Sequence, residues 1–390
     1  MKLIKAGKIY TVTGETIDNG EILIDNGKIK EIGTNVAKSE SNIDQVIDYT
    51  DKVILPGLID AHSHVGVWGD GEGPTAYDGN EMGEPVNAKV RAIDATNPLQ
   101  RSFAGAREGG ITTLQIIPGS GNAIGGLAFA CKTAGKIVDR MSIKNPTGLK
   151  AALGENPKRA YGKGMNKTPS TRMGTASLIR EFFQKTKEYK AKKEKAESKG
   201  EDFEKDLNME AGLLVLNREI PICIHAHRQD DIITAVRLSE EFDIDYTIEH
   251  CTDGHLIVDF LAEKDVTANV GPGLGVSSKV ETADLTDKNP VVLAENGIHT
   301  NIITDHPFLN SKYFMAYGAT VHKYGLSLKE TLKTMTINPA ETLGIADRVG
   351  SLEKGKDADL IVLDGEPFSY KSRLQYTFIN GEKVYEREEI

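Results

Sequence analysis

The sequence contains few cysteines and no long hydrophobic run. Its three cysteines, Cys131, Cys223 and Cys251, are odd in number and form no Cys-x-x-Cys pair, so we expect small buried side chains in a reducing compartment and no disulfide framework. No apolar run reaches the roughly 18 residues of a membrane-spanning helix, and the first residues show no signal-peptide pattern. The sequence therefore predicts a soluble, cytoplasmic protein that does not insert into a membrane.

The chain also has no excess of positive charge. The 47 lysines and arginines are outnumbered by 57 aspartates and glutamates, for a formal net charge of −10, which disfavours nucleic acid and anionic membrane surfaces as partners. Hydrophobic residues make up 39% of the chain, an ordinary globular share that excludes a disordered, collagen-like or coiled-coil protein. At about 150 residues per domain, the chain length fits two or three domains, or one large barrel with an appendage.

Both ends of the chain show the alternation typical of β-strands. Near the start, Asn26-Gly27 separates two strand-like runs, and near the end Asn380-Gly381 does the same. Such pairs favour a type I′ hairpin turn, which needs a positive φ at both positions. Neither end buries enough apolar area to fold alone. We therefore predict that residues 1–53 and 351–390 pair into one small β-sandwich domain, with the rest of the chain inserted between them.

The middle of the chain, residues 54–350, alternates apolar strand-like runs with helical patterns such as 231–242, which is typical of parallel βα units. From about residue 175 to 217 a long helical insertion with a polar centre interrupts this rhythm. We interpret it as a solvated helix pair, with a partner-binding arm as the alternative. The six candidate strands are 58–64, 112–117, 221–225, 246–249, 266–270 and 299–304.

The first of these strands ends in two histidines one residue apart. Because alternate side chains of a strand point the same way, His62 and His64 could bind one ligand. Imidazole binds zinc, copper, iron and nickel well, although a chance pair of hydrogen-bonded histidines is the alternative. Further candidate ligands follow later apolar runs, and the chain between His62 and Asp305 is close to the ~250 residues of a (β/α)8 barrel, whose catalytic groups lie at the carboxyl ends of its strands. The later candidates are His225, His227, His250 and Asp305.

Five sequence blocks resemble the amidohydrolase superfamily. They are VILPGLIDAHSHVG at 53–66, HAHRQDDI at 225–232, IEHCTDGH at 248–255, TDHP at 304–307 and LEKGKDADLIVLDG at 352–365. Within that superfamily the chain is most similar to imidazolonepropionase-like and prolidase-like amidohydrolases, over nearly its whole length. The resemblance implies a metal-dependent hydrolase with a small-molecule substrate on a distorted (β/α)8 TIM barrel. We also expect a homo-oligomer, since closed oligomers are common among such enzymes.

The resemblance also implies roles for individual residues. His62 and His64 correspond to metal ligands of the first barrel strand, and His250 to the ligand of the sixth. Asp305 corresponds to the eighth-strand ligand, which also accepts a proton. The fifth-strand ligand is either His225 or His227. We favour His225, which begins a His-Ala-x-x-x-Asp pattern similar to that of the family, and the other histidine would then face the substrate.

A second metal ion would need a bridging carboxylate, which this superfamily supplies as a carbamylated fourth-strand lysine or as a glutamate. The segment 147–157 offers both, and we favour Lys150 over Glu155. An unmodified lysine is protonated at pH 7 and repels a cation, so only carbamylation would let it bridge. The alternative is a surface lysine and a single metal. We therefore expect one or two divalent ions, with zinc as the first choice.

These residue types suit the hydrolysis of a C–N bond. A bound divalent ion lowers the pKa of its water towards 7 and polarises a carbonyl group. Asp305 can accept the proton of the attacking water and return it to the leaving nitrogen, unless it merely caps a helix or turn. The expected substrate is a cyclic amide, an acyl-amino acid or a dipeptide. Deamination of a ring amidine, and a catalytically silent barrel that acts in binding or assembly, are the alternatives.

Several other residues are candidates for shaping the site, and the alternative is that they only pack their loops. Some follow the first barrel strand, where loops set specificity, and others lie beside the expected ligands, where they could bind a substrate carboxylate or support the metal ligands. They are Trp68, Tyr77, Arg91, Arg228, His306 and the stretch 70–74. The glycine-rich segment 118–126 lacks the spacing and the lysine of a phosphate-binding loop, so we expect an active-site loop there.

Overall fold

The computed structural model describes residues 1–39, 42–69 and 73–388. These residues form fifteen strands and twelve α-helices. The strands β1 to β15 are Lys2–Tyr10, Thr16–Asp25, Lys28–Gly33, Gln45–Pro56, Leu58–Ser63, Ile111–Ile116, Ile124–Lys132, Ser142–Ala152, Ile222–Ala226, Tyr246–His250, Thr267–Val270, His299–Ile302, Leu360–Leu363, Leu374–Ile379 and Glu382–Glu386. The helices α1 to α12 are Ala92–Ala95, Arg101–Glu108, Val138–Met141, Glu155–Lys158, Arg172–Lys199, Leu207–Leu216, Gln229–Phe242, Val258–Ala262, Asn289–Glu295, Phe314–Lys323, Leu328–Thr334 and Ile337–Thr342.

The two ends of the chain form one seven-stranded sheet, in the order β15-β14-β13-β4-β1-β2-β3. The predicted pairing of the chain ends is therefore confirmed. Both hairpin turns are present: Asn26 and Gly27 have φ angles of 49° and 79°, and Asn380 and Gly381 have 51° and 71°, the positive values that a type I′ turn needs. The core of this sheet is aliphatic and includes Ile4, Ile22, Ile24, Ile54, Leu360 and Phe378.

The middle of the chain forms the predicted α/β barrel, a nearly closed sheet in the order β12-β11-β10-β9-β8-β7-β6-β5. Its first and last strands meet where the Asp60 carboxylate, on β5, accepts hydrogen bonds from the backbone N–H and the hydroxyl of Thr304, just after β12. All six strands predicted from the sequence are present, with ends within two residues of the expected ones. The carboxyl ends of the parallel strands therefore meet at one edge of the barrel.

Two barrel strands, β7 and β8, are missing from the sequence prediction. β7 runs antiparallel to both of its neighbours, β6 and β8, which distorts the barrel. It contains Gly126, whose φ is 117° and where a Cβ atom would lie 2.5 Å from the carbonyl oxygen of Val90, while β8 contains Pro146. Glycine and proline are depleted in strands, which is why the pattern was obscured. The predicted loop 118–126 accordingly ends at residue 123, because β7 begins at Ile124.

The helical insertion consists of α5 and α6. The hydroxyl of Thr171 caps α5 by accepting a hydrogen bond of 3.0 Å from the N–H of Gly174, and Gly200, with φ of 67°, ends it. The two helices approach closely, since a Cβ atom on Gly212 of α6 would lie 2.6 Å from the hydroxyl of Thr186. The long polar segment therefore folds back on the barrel as a packed helix pair.

The structure also describes the helices and the cysteines on which two of the sequence predictions depend. In the part of the chain that the structure describes, no helix is long and apolar enough to cross a bilayer. The three cysteines there are buried and unpaired, which confirms that they are small core side chains.

A buried ion cluster joins the barrel to the terminal sheet. Lys132, at the end of β7, pairs with Asp357 at 3.1 Å and with Asp359. Both aspartates belong to the LEKGKDADLIVLDG block that leads into β13, and all three side chains are buried. Asp359 also accepts a hydrogen bond of 2.9 Å from the backbone N–H of Asn380. This block therefore contributes to the contact between the barrel and the terminal sheet. The residue boundaries of these two domains stay a prediction.

Candidate metal centre

Three predicted ligands meet at the carboxyl edge of the barrel. His62 is on β5 and His64 follows directly after it, while Asp305 lies three residues beyond the end of β12. Its Oδ1 lies 3.1 Å from Nε2 of His64 and 3.5 Å from Nε2 of His62. All three side chains are buried, and their ligand atoms are close enough together to hold one metal ion.

The three remaining histidines form a second group beside the first. His225 is on β9, His227 follows directly after β9 and His250 ends β10. The centroids of their rings are 4.6 to 4.7 Å apart. Their ligand atoms could also hold a metal ion. The ring of His250 lies 5.1 Å from that of His62, so the two groups adjoin and form one centre.

Hydrogen bonds orient three of the imidazoles through Nδ1. His64 donates to the carbonyl of Ile117 at 2.7 Å, and His250 donates to the carbonyl of Gly271 at 2.8 Å. His62 bonds in the same way to the carboxylate of Glu249. A histidine held at one ring nitrogen presents the other as a lone-pair donor, so these three histidines present Nε2 to the centre.

His225 and His227 differ in their hydrogen-bond partners. Nδ1 of His225 is buried and has no hydrogen-bond partner among the described residues, while its Nε2 lies 3.4 Å from the amide nitrogen of Asn156. In His227, Nδ1 lies 2.7 Å from the hydroxyl of Thr252 and Nε2 lies 3.4 Å from the ammonium of Lys279. A bound cation would satisfy the unpartnered Nδ1 of His225, whereas both nitrogens of His227 already have neighbours.

The charge state of four of the five histidines suits a cation. In His62, burial lowers the pKa, but the carboxylates of Glu249 and Asp305 outweigh it and raise the pKa. Burial lowers the pKa of His64, and it lowers the pKa of His225 and His227 well below the ordinary range. For His250, burial lowers the pKa to about 3. Neutral imidazole is the form that binds metals. Burial alone would raise the pKa of Asp305, but the nearby imidazoles outweigh it and hold this pKa well below its usual range, so the carboxylate is charged at neutral pH.

Lys150 lies inside the centre. Its side chain is buried on β8, and its ammonium nitrogen is 3.3 Å from Nε2 of His62. Burial lowers the pKa of this lysine, which favours the neutral amine. Glu155, the other predicted bridging residue, is half-buried at the start of α4 and belongs to neither group of ligand atoms found among the described residues.

Of the residues predicted to shape the site after the first barrel strand, Trp68 contacts a ligand candidate. Its ring lies 4.5 Å from that of His64, tilted by 38°, and Phe308 packs 5.8 Å from Trp68. Tyr77 and Arg91 line a cavity of about 500 Å³. Residues 70–72 of the predicted stretch lie outside the described residues.

Two other predicted residues engage partners away from the histidines. The guanidinium of Arg228 pairs with Asp230 at 2.9 Å. His306 is buried, and its Nδ1 accepts a hydrogen bond of 3.2 Å from the backbone N–H of Ser311, so it supports the turn that carries Asp305. The predicted contact of Arg228 with a substrate carboxylate stays a prediction.

The sequence did not predict five residues that lie in or beside the centre: Asp60, Asn156, Glu249, Lys279 and Glu281. Asp60 and Glu249 are buried acids within apolar strands next to the histidines, a signal that could have revealed them. Lys279 and Glu281 follow β11, and their side chains lie 3.2 Å apart. The carboxylate of Glu281 is 3.8 Å from Nε2 of His225. No sequence pattern distinguishes these last two residues from ordinary loop residues.

Two ligand candidates have a backbone conformation that non-glycine residues seldom adopt. The φ angle is 71° at His250 and 48° at Asp305, in the left-handed region. Such residues cost of order 1–3 kcal/mol each and persist where the surrounding structure enforces them, often at functional sites. Here each turn follows directly on a strand end and directs a polar side chain into the centre.

Comparison with known proteins agrees with this geometry. The amidohydrolase family model matches residues 53–384. A solved amidohydrolase from Thermotoga maritima MSB8 is 42% identical, covers 99% of this chain and 100% of its own, and superposes with a TM-score of 0.95. An imidazolonepropionase from Picrophilus torridus is 25% identical over 98% of both chains. The amidohydrolase tasK from Hapsidospora irregularis is 28% identical over 93% of this chain, which spans only 39% of tasK. The chain therefore belongs to the amidohydrolase family of metal-dependent hydrolases.

Proposed function

We propose that the protein hydrolyses a C–N bond in a cyclic amide, an acyl-amino acid or a dipeptide, with Asp305 as the general base and then the general acid. The observation that carries this proposal is the contact of the Asp305 carboxylate with His62 and His64 beside a second histidine group. A carboxylate held against several imidazoles is an arrangement for binding a cation and for moving a proton.

The donor set fits one or two divalent ions. His62 and His64, through Nε2, and Asp305 would hold one ion. His225, through its unpartnered Nδ1, and His250, through Nε2, would hold the other. Imidazole and carboxylate ligands suit zinc, which we propose as the metal. When bound, a divalent ion would lower the pKa of a water molecule and polarise the substrate carbonyl.

Lys150 is the proposed bridge. Its burial favours the neutral amine, whose nitrogen can attack carbon dioxide, form a C–N bond and release one proton. The product is a carbamate anion in place of a cation. The half-buried Glu155 stays the alternative. The modification would remove the positive charge that an unmodified lysine brings next to His62.

Side chains of the protein would transfer the proton, exclude water and bind the substrate. Asp305 is ionised at neutral pH, so it can take the proton of the attacking water and return it to the leaving nitrogen. Trp68 packs against the ring of His64, and Phe308 packs behind Trp68, so the pair would restrict water on that side. The cavity beside Tyr77 and Arg91 would accept part of the substrate.

An activity screen with metal analysis tests this function. Protein purified without added metal should contain one to two equivalents of a transition metal. The metal-loaded enzyme should hydrolyse at least one member of a panel of hydantoins, imidazolones, N-acyl amino acids and Xaa-Pro dipeptides. The variant Asp305→Asn should keep its fold and lower kcat by about 10²- to 10⁴-fold.

Other outcomes point elsewhere. Ammonia released from a ring amidine, without hydrolysis of the panel, would assign the deaminase alternative. Absence of metal together with absence of metal-restored activity would favour the silent barrel. Unchanged turnover in Asp305→Asn would remove the assigned base.

A further inference from the structure

Lys279 places a positive charge at the edge of the histidine groups. Its ammonium nitrogen is 3.4 Å from Nε2 of His227, 3.4 Å from the amide oxygen of Asn156 and 3.2 Å from the carboxylate of Glu281. The side chain keeps 20% of its surface exposed, whereas that of His227 is buried. The ammonium therefore lies between the metal centre and solvent, where a substrate must pass.

We propose that Lys279 binds a carboxylate of the substrate, next to the bond that is cleaved. This inference rests on the proposed function and narrows it. It selects substrates that carry a free carboxylate, of the acyl-amino acid or dipeptide type, over neutral cyclic amides and ring amidines.

The three contacts of the ammonium leave it able to take an anionic ligand. All are at 3.2 to 3.4 Å, longer than the 2.7–2.9 Å of a strong charge-assisted hydrogen bond. Two of the three partners, His227 and Asn156, are uncharged in this setting. A carboxylate that replaced one of these long contacts would gain a stronger bond, while the others would keep the ammonium in place.

The one acidic partner does not fully neutralise Lys279, because it is shared. The carboxylate of Glu281 also accepts a hydrogen bond of 2.8 Å from the backbone N–H of Glu155 and lies 3.8 Å from the guanidinium of Arg172. Its negative charge is thus divided between two cations and a backbone donor. The carboxylate of Glu281 therefore holds the lysine at the edge of the site, and the outer side of the ammonium stays available to the substrate.

The position of Lys279 matches the short distance between the scissile amide and the carboxylate of such a substrate. In an acyl-amino acid or dipeptide, one carbon atom separates the amide nitrogen from the carboxylate. The ring of His227, which contacts Lys279, packs at 4.6 Å against that of His250. A scissile amide at the histidine groups would therefore bring its carboxylate within reach of the ammonium. Lys279 is thus a further candidate, beside Arg228, for binding a substrate carboxylate.

Matched substrates and variants test this inference. Each substrate is assayed as the free carboxylate and as the neutral carboxamide, with the full-length, metal-loaded enzyme. The wild type should prefer the carboxylate. Lys279→Met should raise KM for the carboxylate by about 10- to 100-fold, the effect of one lost charge-assisted bond, and change the carboxamide little. Lys279→Arg should recover part of the preference, and Lys329→Met, at an exposed position on α11, should behave as wild type.

A binding measurement separates this inference from the proposed hydrolysis. Calorimetry with N-acetyl amino acids and with their carboxamides measures recognition whether or not turnover occurs. Weaker binding of the carboxylate to Lys279→Met than to wild type, at equal metal content and unchanged circular dichroism, supports the inference even if every panel substrate resists hydrolysis. Equal binding and an equal carboxylate preference in the two proteins would overturn it.

Discussion

Glu249 and His62 lie on strands β10 and β5, which are not neighbours in the barrel, yet the Glu249 carboxylate accepts a hydrogen bond from Nδ1 of His62. Both side chains are fully buried. Two further bonds, from the amide of Asn269 at 2.9 and 3.0 Å, hold the carboxylate in place. The barrel interior therefore sets the direction in which His62 presents Nε2.

Removing the charge of Glu249 should weaken metal binding. The variant Glu249→Gln keeps the size of the side chain but accepts the bond from His62 less strongly, so the ring is less well oriented and less basic. Loss of such a supporting group typically lowers metal affinity by about 10- to 100-fold. Chelator competition measures the affinity, with Glu263→Gln at an exposed position as the control. Equal affinity in all three proteins would contradict this role.

The proposed carbamylation of Lys150 makes a distinct prediction for Lys150→Ala. This variant should lose activity and part of its metal, because the bridging carboxylate is gone. Acetate or propionate should restore part of both, since a short carboxylic acid can occupy the space left by the side chain. Glu155→Ala should retain its activity and gain nothing from either acid. Labelling with ¹³C carbon dioxide should give a carbamate signal in wild type, and a rescued Glu155→Ala would assign the bridge to Glu155 instead.

Much of this centre could be predicted because its ligands follow apolar strands. His62, His250 and Asp305 each come directly after or at the end of such a run, and the carboxyl ends of parallel strands converge. The ends of the chain could be paired from two Asn-Gly turns. The barrel length followed from the spacing between His62 and Asp305, and the six regular strands from apolar runs that alternate with helical patterns.

The remaining parts depend on packing that leaves no periodic signal. β7 is short of β-forming residues around Gly125 and Gly126, and its antiparallel direction follows from its tight connections to both neighbours. Lys279 reaches the centre only because the segment after β11 folds back over His227. The engagement of Arg228 by Asp230 is a local ion pair that the spacing of the histidine block does not reveal.

His250 should make a contribution to the stability of the metal-free protein that is lost as the pH falls below about 6.5. The native pKa of His250 is about 3 against an ordinary 6.5, so the unfolded chain takes up a proton at this histidine where the native protein does not. The stability from this histidine is complete above its unfolded pKa and declines with falling pH by about 1.4 kcal/mol per unit between roughly pH 4 and 6. Burial raises the pKa of Asp60 to about 7, so the contribution of Asp60 to the free energy of unfolding rises as the pH falls.

A variant isolates the contribution of His250. Urea unfolding of metal-free wild type and His250→Gln at several pH values gives the two slopes of unfolding free energy against pH. The slope of the variant should be smaller by about 1.4 kcal/mol per pH unit in the same window. Parallel slopes would show that His250 is already protonated in the native state.

Lys132 and Lys28 allow a matched test of the contact between the barrel and the terminal sheet, because both ammonium groups lie 3.1 Å from the carboxylate of Asp357. Lys132 is buried and also pairs with Asp359, while the Lys28 side chain is 54% exposed. Removing one partner of a buried pair costs about 3–5 kcal/mol, whereas an exposed pair is worth about 0–1 kcal/mol. Lys132→Met should therefore lower the free energy of unfolding by several times more than Lys28→Met, as measured by urea denaturation. Equal losses in the two variants would mean that the terminal sheet is held to the barrel by its apolar contacts alone.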